Sequence, residues 1–277
     1  MIRRAFLCLA AVFLGAADTP PEWSRPIAPF HVIGPVYYVG TEGIAAYLIR
    51  SEAGLILLDG GLEQSAPLVE RNIFALGFRP RDVKILIASH AHYDHAAALR
   101  QLKRDSGAAF LSSAGDRQAY ETGTPPSEVN YGVIRFPPIK VDRVLREGRP
   151  VILGNVAMTP VLTPGHTPGC TTWTLRITQA GKPLDVVFPC SMTVAGNKLV
   201  GNKGYPGIVA DFRQTFARMR RLPADVVLPA HPEFADVLGR ARRRDPNAFV
   251  APGLLPRMVD EAEAAFATEL AKQEGKR

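Results

Sequence analysis

Residues 83–95 are Val-Lys-Ile-Leu-Ile-Ala-Ser-His-Ala-His-Tyr-Asp-His, an apolar run followed at once by a cluster of polar groups. The run from Val83 to Ala88 has the aliphatic and β-branched residues that favour a buried strand. The cluster holds three of the chain's six histidines and one aspartate. Loops at the ends of buried strands are where a rigid scaffold presents chemistry. The stretch therefore predicts a strand whose carboxyl end carries a functional site.

Imidazole and carboxylate groups are ligands that zinc accepts readily. A hydrogen-bonded core histidine is the alternative explanation for any single residue of this cluster, but it does not account for four such groups within six positions. We therefore expect His90, His92, Asp94 and His95 to bind metal.

Two more histidines follow predicted strands. His166 lies in Thr-Pro-Gly-His-Thr-Pro-Gly after the run Val156 to Leu162, and His231 follows the short run Val226 to Leu228. Six ligands exceed the needs of one tetrahedral ion and suit two ions that each keep a position open for water. The remaining His31 is expected to be a semi-exposed residue of an edge strand without a functional role.

Short apolar runs bounded by Gly, Pro and Asp predict strands through the first two-thirds of the chain: Val36 to Val39, Ala45 to Ile49, Leu55 to Leu58, Val83 to Ala88, Val151 to Leu153, Val156 to Leu162, Thr172 to Ile177 and Val186 to Phe188. Helical periodicity covers Glu63 to Leu76, Ala96 to Gly107, Ile208 to Leu222 and a terminal segment around Leu255 to Leu270. Strands that pair first and are then covered by helices indicate an α/β (or α+β) class with layered sheets. There is no internal repeat.

These motifs resemble those of the metallo-β-lactamase superfamily. The metal motifs that carry the resemblance are His90-Ala91-His92-Tyr93-Asp94-His95, Gly165-His166-Thr167-Pro168-Gly169 and His231. The segments Trp23 to Pro29, Tyr37 to Gly43, Leu57 to Gly61 and Thr171 to Thr174 resemble subclass B3 in particular. The similarity runs from about Trp23 into the terminal helix. It implies a four-layer αββα sandwich with the metal site at one edge of the sheets.

The resemblance also assigns the ligands. It implies that His90, His92 and His166 bind a first zinc ion and that Asp94, His95 and His231 bind a second. The implied activity is zinc-dependent hydrolysis of the β-lactam amide bond of penicillins, cephalosporins and carbapenems by hydroxide formed on the metal, with Asp94 also handling a proton. Such an enzyme would confer antibiotic resistance.

Expectations also follow for residues outside the six metal ligands. Superfamily thioesterases and nucleases have a bridging aspartate where this chain has Phe188-Pro189-Cys190-Ser191, and this argues against a thioesterase. Ser191 and Thr193 are expected to offer hydroxyls to a substrate carboxylate. Asp59 is expected to be a hydrogen-bond acceptor that orients a ligand histidine or its loop. A turn residue before Gly60-Gly61 is an equally natural interpretation of Asp59.

Two other functions are compatible with parts of the sequence. A hydrolase of another strained or activated ester, such as a lactone, would use the same six ligands. A non-catalytic protein could bind nucleic acid through the basic run Arg240 to Arg244, but that run has no interleaved aromatic residues and is better explained as a solvated helix end. We expect a monomer that acts on a small molecule, with neither a nucleic-acid nor a membrane partner.

The first 17 residues have the layout of a cleaved secretory signal peptide. Arg3 and Arg4 precede the apolar run Ala5 to Leu14, and small residues end at Ala17. Cleavage there would leave residues 18–277 as one domain and lower the net charge from +7 to +5. We therefore expect a periplasmic protein.

Two cysteines, Cys170 and Cys190, remain after cleavage and are expected to form a disulfide in that oxidising compartment. The segment Gln179 to Lys182 is a natural hairpin turn, and a pairing centred on it places the cysteines within one residue of opposition. Two alternatives stay open: Cys190 as a zinc ligand, or both cysteines as small buried apolar residues.

A long loop is predicted from Glu121 to Asp142, where prolines make helix improbable. Tyr131, Ile134 and Phe136 could contact a ligand there or pack inward.

Overall fold

Two β-sheets packed face to face form the centre of the computed structural model, which describes residues 19–243 and 245–275. The predicted signal peptide over residues 1–17 and Arg244 of the basic run lie outside the described residues. Within those described ranges, no helix is both long enough and apolar enough to cross a membrane.

The first sheet has seven strands in chain order: β1 (Phe30–Ile33), β2 (Val36–Tyr38), β3 (Tyr47–Ser51), β4 (Gly54–Leu58), β5 (Val83–Ile87), β6 (Ala109–Ser112) and β7 (Arg143–Val144). The strands from β1 to β4 pair antiparallel, and those from β4 to β7 pair parallel. Parallel neighbours need crossover connections, and helices supply them: α1 (Ala66–Ala75), α2 (Tyr93–Ala96), α3 (Leu99–Ser106) and α4 (Ala114–Thr122).

The second sheet has five strands: β8 (Val151–Leu153), β9 (Val156–Leu162), β10 (Thr171–Gln179), β11 (Lys182–Phe188) and β12 (Val226–Val227). Their order is β12-β11-β10-β9-β8, and only β12 pairs parallel to its neighbour among these described strands. The β10–β11 hairpin pairs Trp173 with Phe188 and Gln179 with Lys182, which is the register centred on the predicted turn. Ala180 and Gly181 both have positive φ, 48° and 77°, as a tight two-residue hairpin requires.

Three apolar cores hold the layers together. One lies between the sheets and contains Trp173, Tyr47 and Phe188; a second joins the first sheet to α1, α3 and α4. The third packs the second sheet against α5 (Ile208–Met219) and α7 (Leu254–Gln273). The layers are therefore helix, sheet, sheet, helix, as the resemblance implied. The basic run starts at Arg240, within a short helix, α6 (Val237–Ala241).

The structure differs from the sequence predictions in several elements. The helix predicted from Ala96 to Gly107 is shorter: α3 runs from Leu99 to Ser106, and Ala96 instead ends the separate helix α2. The two are separated at Ala98, whose N–H donates to the carbonyl of Gly61 (3.2 Å). The helix predicted from Glu63 begins as a 3-10 turn and becomes α-helical at Ala66. The strand expected around His31 is β1, for which the sequence gives no bounds. No sequence pattern predicted β6, β7, α4 or α6, which are short or lack a clear apolar period.

Candidate metal centre

Three loops bring the predicted ligands to one end of the two sheets. Residues 90–95 follow β5, His166 follows β9, and His231 follows β12. Backbone hydrogen bonds join these loops across the sheets: Thr171 N–H donates to Ser89 O, and Ala45 N–H donates to Ala230 O, both at 2.8 Å. Residues distant in sequence therefore meet because their strands end at the same edge.

The first cluster consists of three buried imidazoles. The Nε2 atom of His166 lies 3.1 Å from Nε2 of His90 and 2.9 Å from Nδ1 of His92. Burial lowers the pKa of His92 to about 4. Burial, with the neighbouring histidines, also holds the pKa of His90 and of His166 well below the usual range. All three rings are therefore neutral at physiological pH, the state in which imidazole binds a metal.

Hydrogen bonds on the far side of two rings fix which nitrogen carries the proton. The Nδ1 of His166 lies 2.8 Å from the carbonyl oxygen of Thr193, which can only accept, so Nδ1 is the protonated nitrogen. The hydroxyl of Ser89 donates to Asp59 Oδ2 (2.8 Å) and therefore accepts from Nδ1 of His90 (3.0 Å). The Nε2 lone pairs of His90 and His166 consequently face each other.

This arrangement fits a metal ion. Two lone pairs 3.1 Å apart in a buried site repel each other unless a cation lies between them. Nitrogens bound to one tetrahedral zinc at 2.0–2.1 Å stand about 3.3 Å apart. The nitrogen of His92 that faces the cluster is Nδ1, 2.9 Å from Nε2 of His166, whereas Nε2 of His92 is buried without a hydrogen-bond partner. The donor set therefore fits a divalent metal such as zinc.

The second cluster is centred on Asp94. Oδ2 of Asp94 lies 3.1 Å from Nε2 of His95 and 3.3 Å from Nε2 of His231. Burial raises the pKa of Asp94, but charge and hydrogen bonds from His95 and His231 outweigh that effect and hold the pKa well below its usual range. For His95 burial lowers the pKa, while Asp94 and Asp59 together raise it above the ordinary value.

The two clusters are adjacent. Ligand atoms of His90, Asp94 and His95 lie within 4.8 Å of one another, and the rings of His90 and His95 are 4.4 Å apart. His231 is the outer member, because its side chain keeps 16% of its surface exposed whereas that of His95 is fully buried. The geometry can therefore place two metal ions next to each other.

Asp59 supports both clusters from behind. Its carboxylate accepts from the backbone N–H of Ser89 (2.7 Å) and from the Ser89 hydroxyl, and it lies 3.6 Å from Nδ1 of His95. Asp59 also has a positive φ of 62° at the end of β4. Both predicted roles, the orienting acceptor and the turn residue, thus have a basis in the structure.

Cys170 and Cys190 form the predicted disulfide, with their Cα atoms 5.8 Å apart. The bond lies beside His90, and its two sulfurs and the His90 ring form one compact group. Because both sulfurs are used in the disulfide, the alternatives of Cys190 as a zinc ligand and of two free buried thiols are excluded.

Ser191 and Thr193 lie next to the first cluster. Their hydroxyl oxygens are 3.0 Å apart, the Thr193 N–H donates to Ser191 Oγ, and Thr193 supplies the carbonyl that holds His166. Both side chains are partly exposed. The structure thus brings the two predicted hydroxyls together at the edge of the site.

Aromatic side chains lie beside His231 of the second cluster. The ring of Trp23 is 5.3 Å from His231 and 6.3 Å from Tyr93, and Phe234 is 6.0 Å from His231 with 49% of its surface exposed. The sequence gives no periodic signal for such a group, since its members come from separate loops.

For the loop predicted over residues 121–142, the two expected roles are contact with a ligand and inward packing. Helix α4 extends to Thr122, and no helix or strand is described from 123 to 142. Phe136 is buried in the core near Tyr120. The ring of Tyr131 packs against Gly196, where an added side chain would meet it at 2.7 Å. Burial, with the charge of Asp94, raises the pKa of Tyr131 to about 12. Ile134 is partly buried.

Sequence analysis missed one functional candidate, Asp116. It is 1% exposed in the first turn of α4, and its carboxylate accepts hydrogen bonds from the metal-site loops. Burial raises the pKa of Asp116 to about 6 against the hydrogen bonds from Thr167, Ala91 and Gly169, which lower it. In sequence it is indistinguishable from an ordinary acidic residue near a helix start.

Two further predictions concern the isolated histidine and the basic run. His31 is exposed on the edge strand β1, with Nε2 2.8 Å from the carbonyl oxygen of Gly34. Arg242 and Arg243 are exposed where α6 ends, as expected of a solvated helix end. Arg240 departs from that prediction, because it is half-buried and donates to the carbonyl of Ala248 (3.2 Å).

Comparisons with known proteins agree with this site. A family model described as the metallo-β-lactamase superfamily matches residues 39–231. The structure is similar to that of BJP-1, a subclass B3 metallo-β-lactamase of Bradyrhizobium japonicum (40% identity, TM-score 0.88, 92% of this chain and 98% of that chain covered). It is also similar to FEZ-1, a metallo-β-lactamase from Legionella gormanii (35% identity, TM-score 0.86, 91% and 98% covered). A more distant relative is the N-acyl homoserine lactonase AttM of Agrobacterium fabrum, 28% identical over 205 residues (64% of this chain, 74% of AttM).

Proposed function

Because the chain belongs to the metallo-β-lactamase superfamily of hydrolases, we propose that it is a zinc-dependent β-lactamase that opens the amide bond of penicillins, cephalosporins or carbapenems. The observation that carries the proposal is the pair of adjacent ligand clusters, one of three neutral imidazoles and one built on Asp94. Similarity to subclass B3 metallo-β-lactamases over nearly the whole of their length supports the substrate class.

We assign the ligands by cluster. His90, His92 and His166 would hold a first zinc ion, and Asp94, His95 and His231 a second. The inward Nε2 atoms of His90 and His166 support the first assignment, and the convergence of two Nε2 atoms on Asp94 Oδ2 supports the second. Elemental analysis of purified protein should give about two zinc ions per chain, and a stoichiometry of one at full activity would contradict the second assignment.

When bound, zinc lowers the pKa of water toward neutrality and polarises a carbonyl oxygen. Proton transfer and substrate binding are assigned to the protein's own side chains. Asp94 is the one carboxylate that lies beside both His95 and His231 among the described residues, and its lowered pKa leaves it ionised. We assign it a proton transfer: it would accept the proton that the attacking oxygen loses on adding to the carbonyl carbon, and deliver that proton to the lactam nitrogen as the C–N bond breaks. No covalent intermediate is needed, so no activated serine is required.

We propose that the hydroxyls of Ser191 and Thr193 bind the substrate carboxylate. One hydroxyl hydrogen is used between the two oxygens, 3.0 Å apart, and the other remains available to donate. Since the Thr193 carbonyl also holds His166, a substrate held by these hydroxyls would lie beside the first cluster. The rings of Trp23 and Phe234 offer apolar surface to the rest of the substrate.

Lactone hydrolysis is the second candidate, because the chain is similar to the lactonase AttM over 64% of its length. The comparisons favour the β-lactam, because identity to BJP-1 is 40% over 92% of this chain, whereas identity to AttM is 28% over 64%. The segment after β11 argues against a thioesterase instead, since it has Cys190, held in a disulfide, and then Ser191 where the thioesterase pattern has a bridging carboxylate.

A hydrolysis panel tests the choice directly. Zinc-loaded protein would be assayed with a carbapenem, an acyl lactone and a thioester, and again after chelation and zinc restoration. The expected result is rapid zinc-dependent opening of the carbapenem with little turnover of the other two. Preferential lactone opening would instead establish the second candidate.

We further propose that the enzyme is exported to the periplasm. The amino-terminal charge and apolar pattern of residues 1–17 and the disulfide between Cys170 and Cys190 support this location. Mass spectrometry of protein recovered from the periplasm should give an amino terminus near Asp18. Active cytoplasmic protein that retains Met1 would contradict it.

A further inference from the structure

Asp116 makes hydrogen bonds to both loops that carry the first cluster. Its Oδ2 accepts from the backbone N–H of Ala91 (2.9 Å) and from the hydroxyl of Thr167 (2.8 Å), and its Oδ1 accepts from the backbone N–H of Gly169 (2.7 Å). Ala91 lies between His90 and His92, and Thr167 directly follows His166. One buried carboxylate therefore joins the neighbours of all three imidazoles.

The surrounding backbone leaves this carboxylate little freedom. A side chain at Gly169 would meet the backbone nitrogen of Asp116 at 2.2 Å, and one at Gly115 would meet the carbonyl oxygen of Pro168 at 2.5 Å. The Ser113 hydroxyl also donates to the carbonyl of Gly169 (2.6 Å). The first turn of α4 is thus docked directly on the 167–169 turn, and a shift of α4 would move that turn with it.

The first cluster needs such a link because its ligands come from different sheets. His90 and His92 follow β5 of the first sheet, whereas His166 follows β9 of the second. Without a cation, the facing lone pairs of His90 and His166 repel each other, so the protein must supply the force that keeps the two loops together. Groups behind a ligand that fix its position commonly alter metal affinity 10- to 100-fold.

Asp116 is not itself placed to bind the metal. It belongs to none of the groups of histidine, cysteine and carboxylate atoms that converge within 4.8 Å in the part of the chain that the structure describes. Both of its oxygens are occupied by donors from the loops.

We propose that Asp116 is a positioning residue that sets the spacing of His90, His92 and His166, and thereby the affinity and geometry of the first metal site. The proposal rests on the assignment of this cluster as a metal site under the proposed function. It does not depend on which substrate the enzyme hydrolyses.

Two variants remove the link in different ways. Asp116→Asn replaces one acceptor oxygen by an NH2 group that would face an N–H or O–H donor. Thr167→Val removes one donor with little change in shape, and Thr167→Ser restores the hydroxyl. Asp142→Asn is the matched control, because Asp142 accepts from the N–H of Phe110 (2.8 Å) and pairs with Lys103 without touching a candidate ligand.

The measurements are zinc affinity by competition with a chromophoric chelator, the visible spectrum of the cobalt(II)-substituted protein, and thermal unfolding. We expect Asp116→Asn to weaken the first equivalent of zinc about 10- to 100-fold and Thr167→Val to weaken it severalfold. Both should shift the cobalt spectrum. Thr167→Ser should bind as the wild type does, and Asp142→Asn should lower only the unfolding temperature.

Wild-type zinc affinity and cobalt spectrum in folded Asp116→Asn and Thr167→Val would overturn the proposal, as would equal weakening in Asp142→Asn. If Asp116→Asn does not fold, the contrast between Thr167→Val and Thr167→Ser decides. A wild-type chain that binds zinc but opens no β-lactam would refute the proposed function and leave this inference standing. An active wild type with unaffected variants would do the reverse.

Discussion

The two ligand clusters are built on different physical principles. In the first, three neutral imidazoles converge, and the outer nitrogens of His90 and His166 are held by Ser89 and by the carbonyl of Thr193. In the second, Asp94 lies beside Nε2 of both His95 and His231, and the raised pKa of His95 favours an ion pair between Asp94 and His95 before any metal binds. In the first cluster the facing lone pairs of His90 and His166 repel each other, and the only contact that could oppose this among the three rings is a neutral one between His92 and His166. The first cluster therefore depends on the surrounding backbone, whereas the second is held partly by its own charges.

This difference predicts unequal metal sites. A cation relieves lone-pair repulsion in the first cluster but must compete with an existing ion pair in the second. His231 is also partly exposed, which gives water and chelators access to the second cluster. We therefore expect the first metal to be bound more tightly, and the variants below test that order.

The largest effect should follow removal of a ligand from the first cluster. His166→Ala removes the imidazole that faces both His90 and His92. Under the proposed function, this variant would lose the ion that polarises the carbonyl and with it several kcal/mol of transition-state stabilisation, so we expect a fall in kcat/KM of about 10³-fold or more. The measurement is carbapenem hydrolysis alongside zinc content.

His31→Ala is the matched control for that variant, because His31 is exposed on β1, far along the chain from every cluster. It should retain wild-type hydrolysis and zinc content. Equal losses in the two histidine variants would mean that the effect is not specific to the first cluster.

A smaller effect is expected from the second cluster. His95→Ala leaves the three imidazoles of the first cluster in place and should lower kcat/KM about 100-fold, equivalent to about 2.7 kcal/mol. Zinc content should fall toward one ion per chain. Wild-type turnover of a carbapenem by His95→Ala at low zinc would show that the second cluster is dispensable.

The next largest effect should follow removal of the buried carboxylate of Asp59, which supports both clusters. Asp59→Asn weakens the acceptor for Ser89 and reduces the charge facing His95. Since partners behind metal ligands typically contribute 10- to 100-fold in affinity, we expect zinc to bind about tenfold more weakly. Chelator competition should show weakening at both equivalents; weakening at the second alone would exclude a role for Asp59 through Ser89 and His90.

The smallest effect should come from the exposed carboxylate behind His231. Glu233 lies 3.7 Å from Nδ1 of His231, but 59% of its side-chain surface is exposed. Exposed ion pairs contribute only about 0.2–1 kcal/mol, so Glu233→Gln should weaken zinc about two- to threefold at low salt. The difference from wild type should shrink as salt is added. A tenfold loss would show that exposure does not distinguish the two backing carboxylates.

Much of the second sheet and of the ligand set could be predicted from local sequence. The HxHxDH motif, His166 and His231 each follow a predicted strand, and strands that end at one edge bring their loops together. The hairpin register also follows from local signals, because the turn at Ala180-Gly181 fixes the pairing of β10 and β11. That register brought Cys170 and Cys190 close enough for the observed disulfide.

The sequence by itself therefore determined which side chains were available as ligands and which strands carried them, because both depend on neighbours in the chain. Only the tertiary structure decided which ring nitrogen of each histidine points inward, since a distant acceptor such as the Thr193 carbonyl fixes it. The same holds for Asp116, whose donors at Ala91, Thr167 and Gly169 lie 25 to 53 residues away along the chain. Hydrogen bonds depend on distance in space, and local sequence patterns carry no record of that distance.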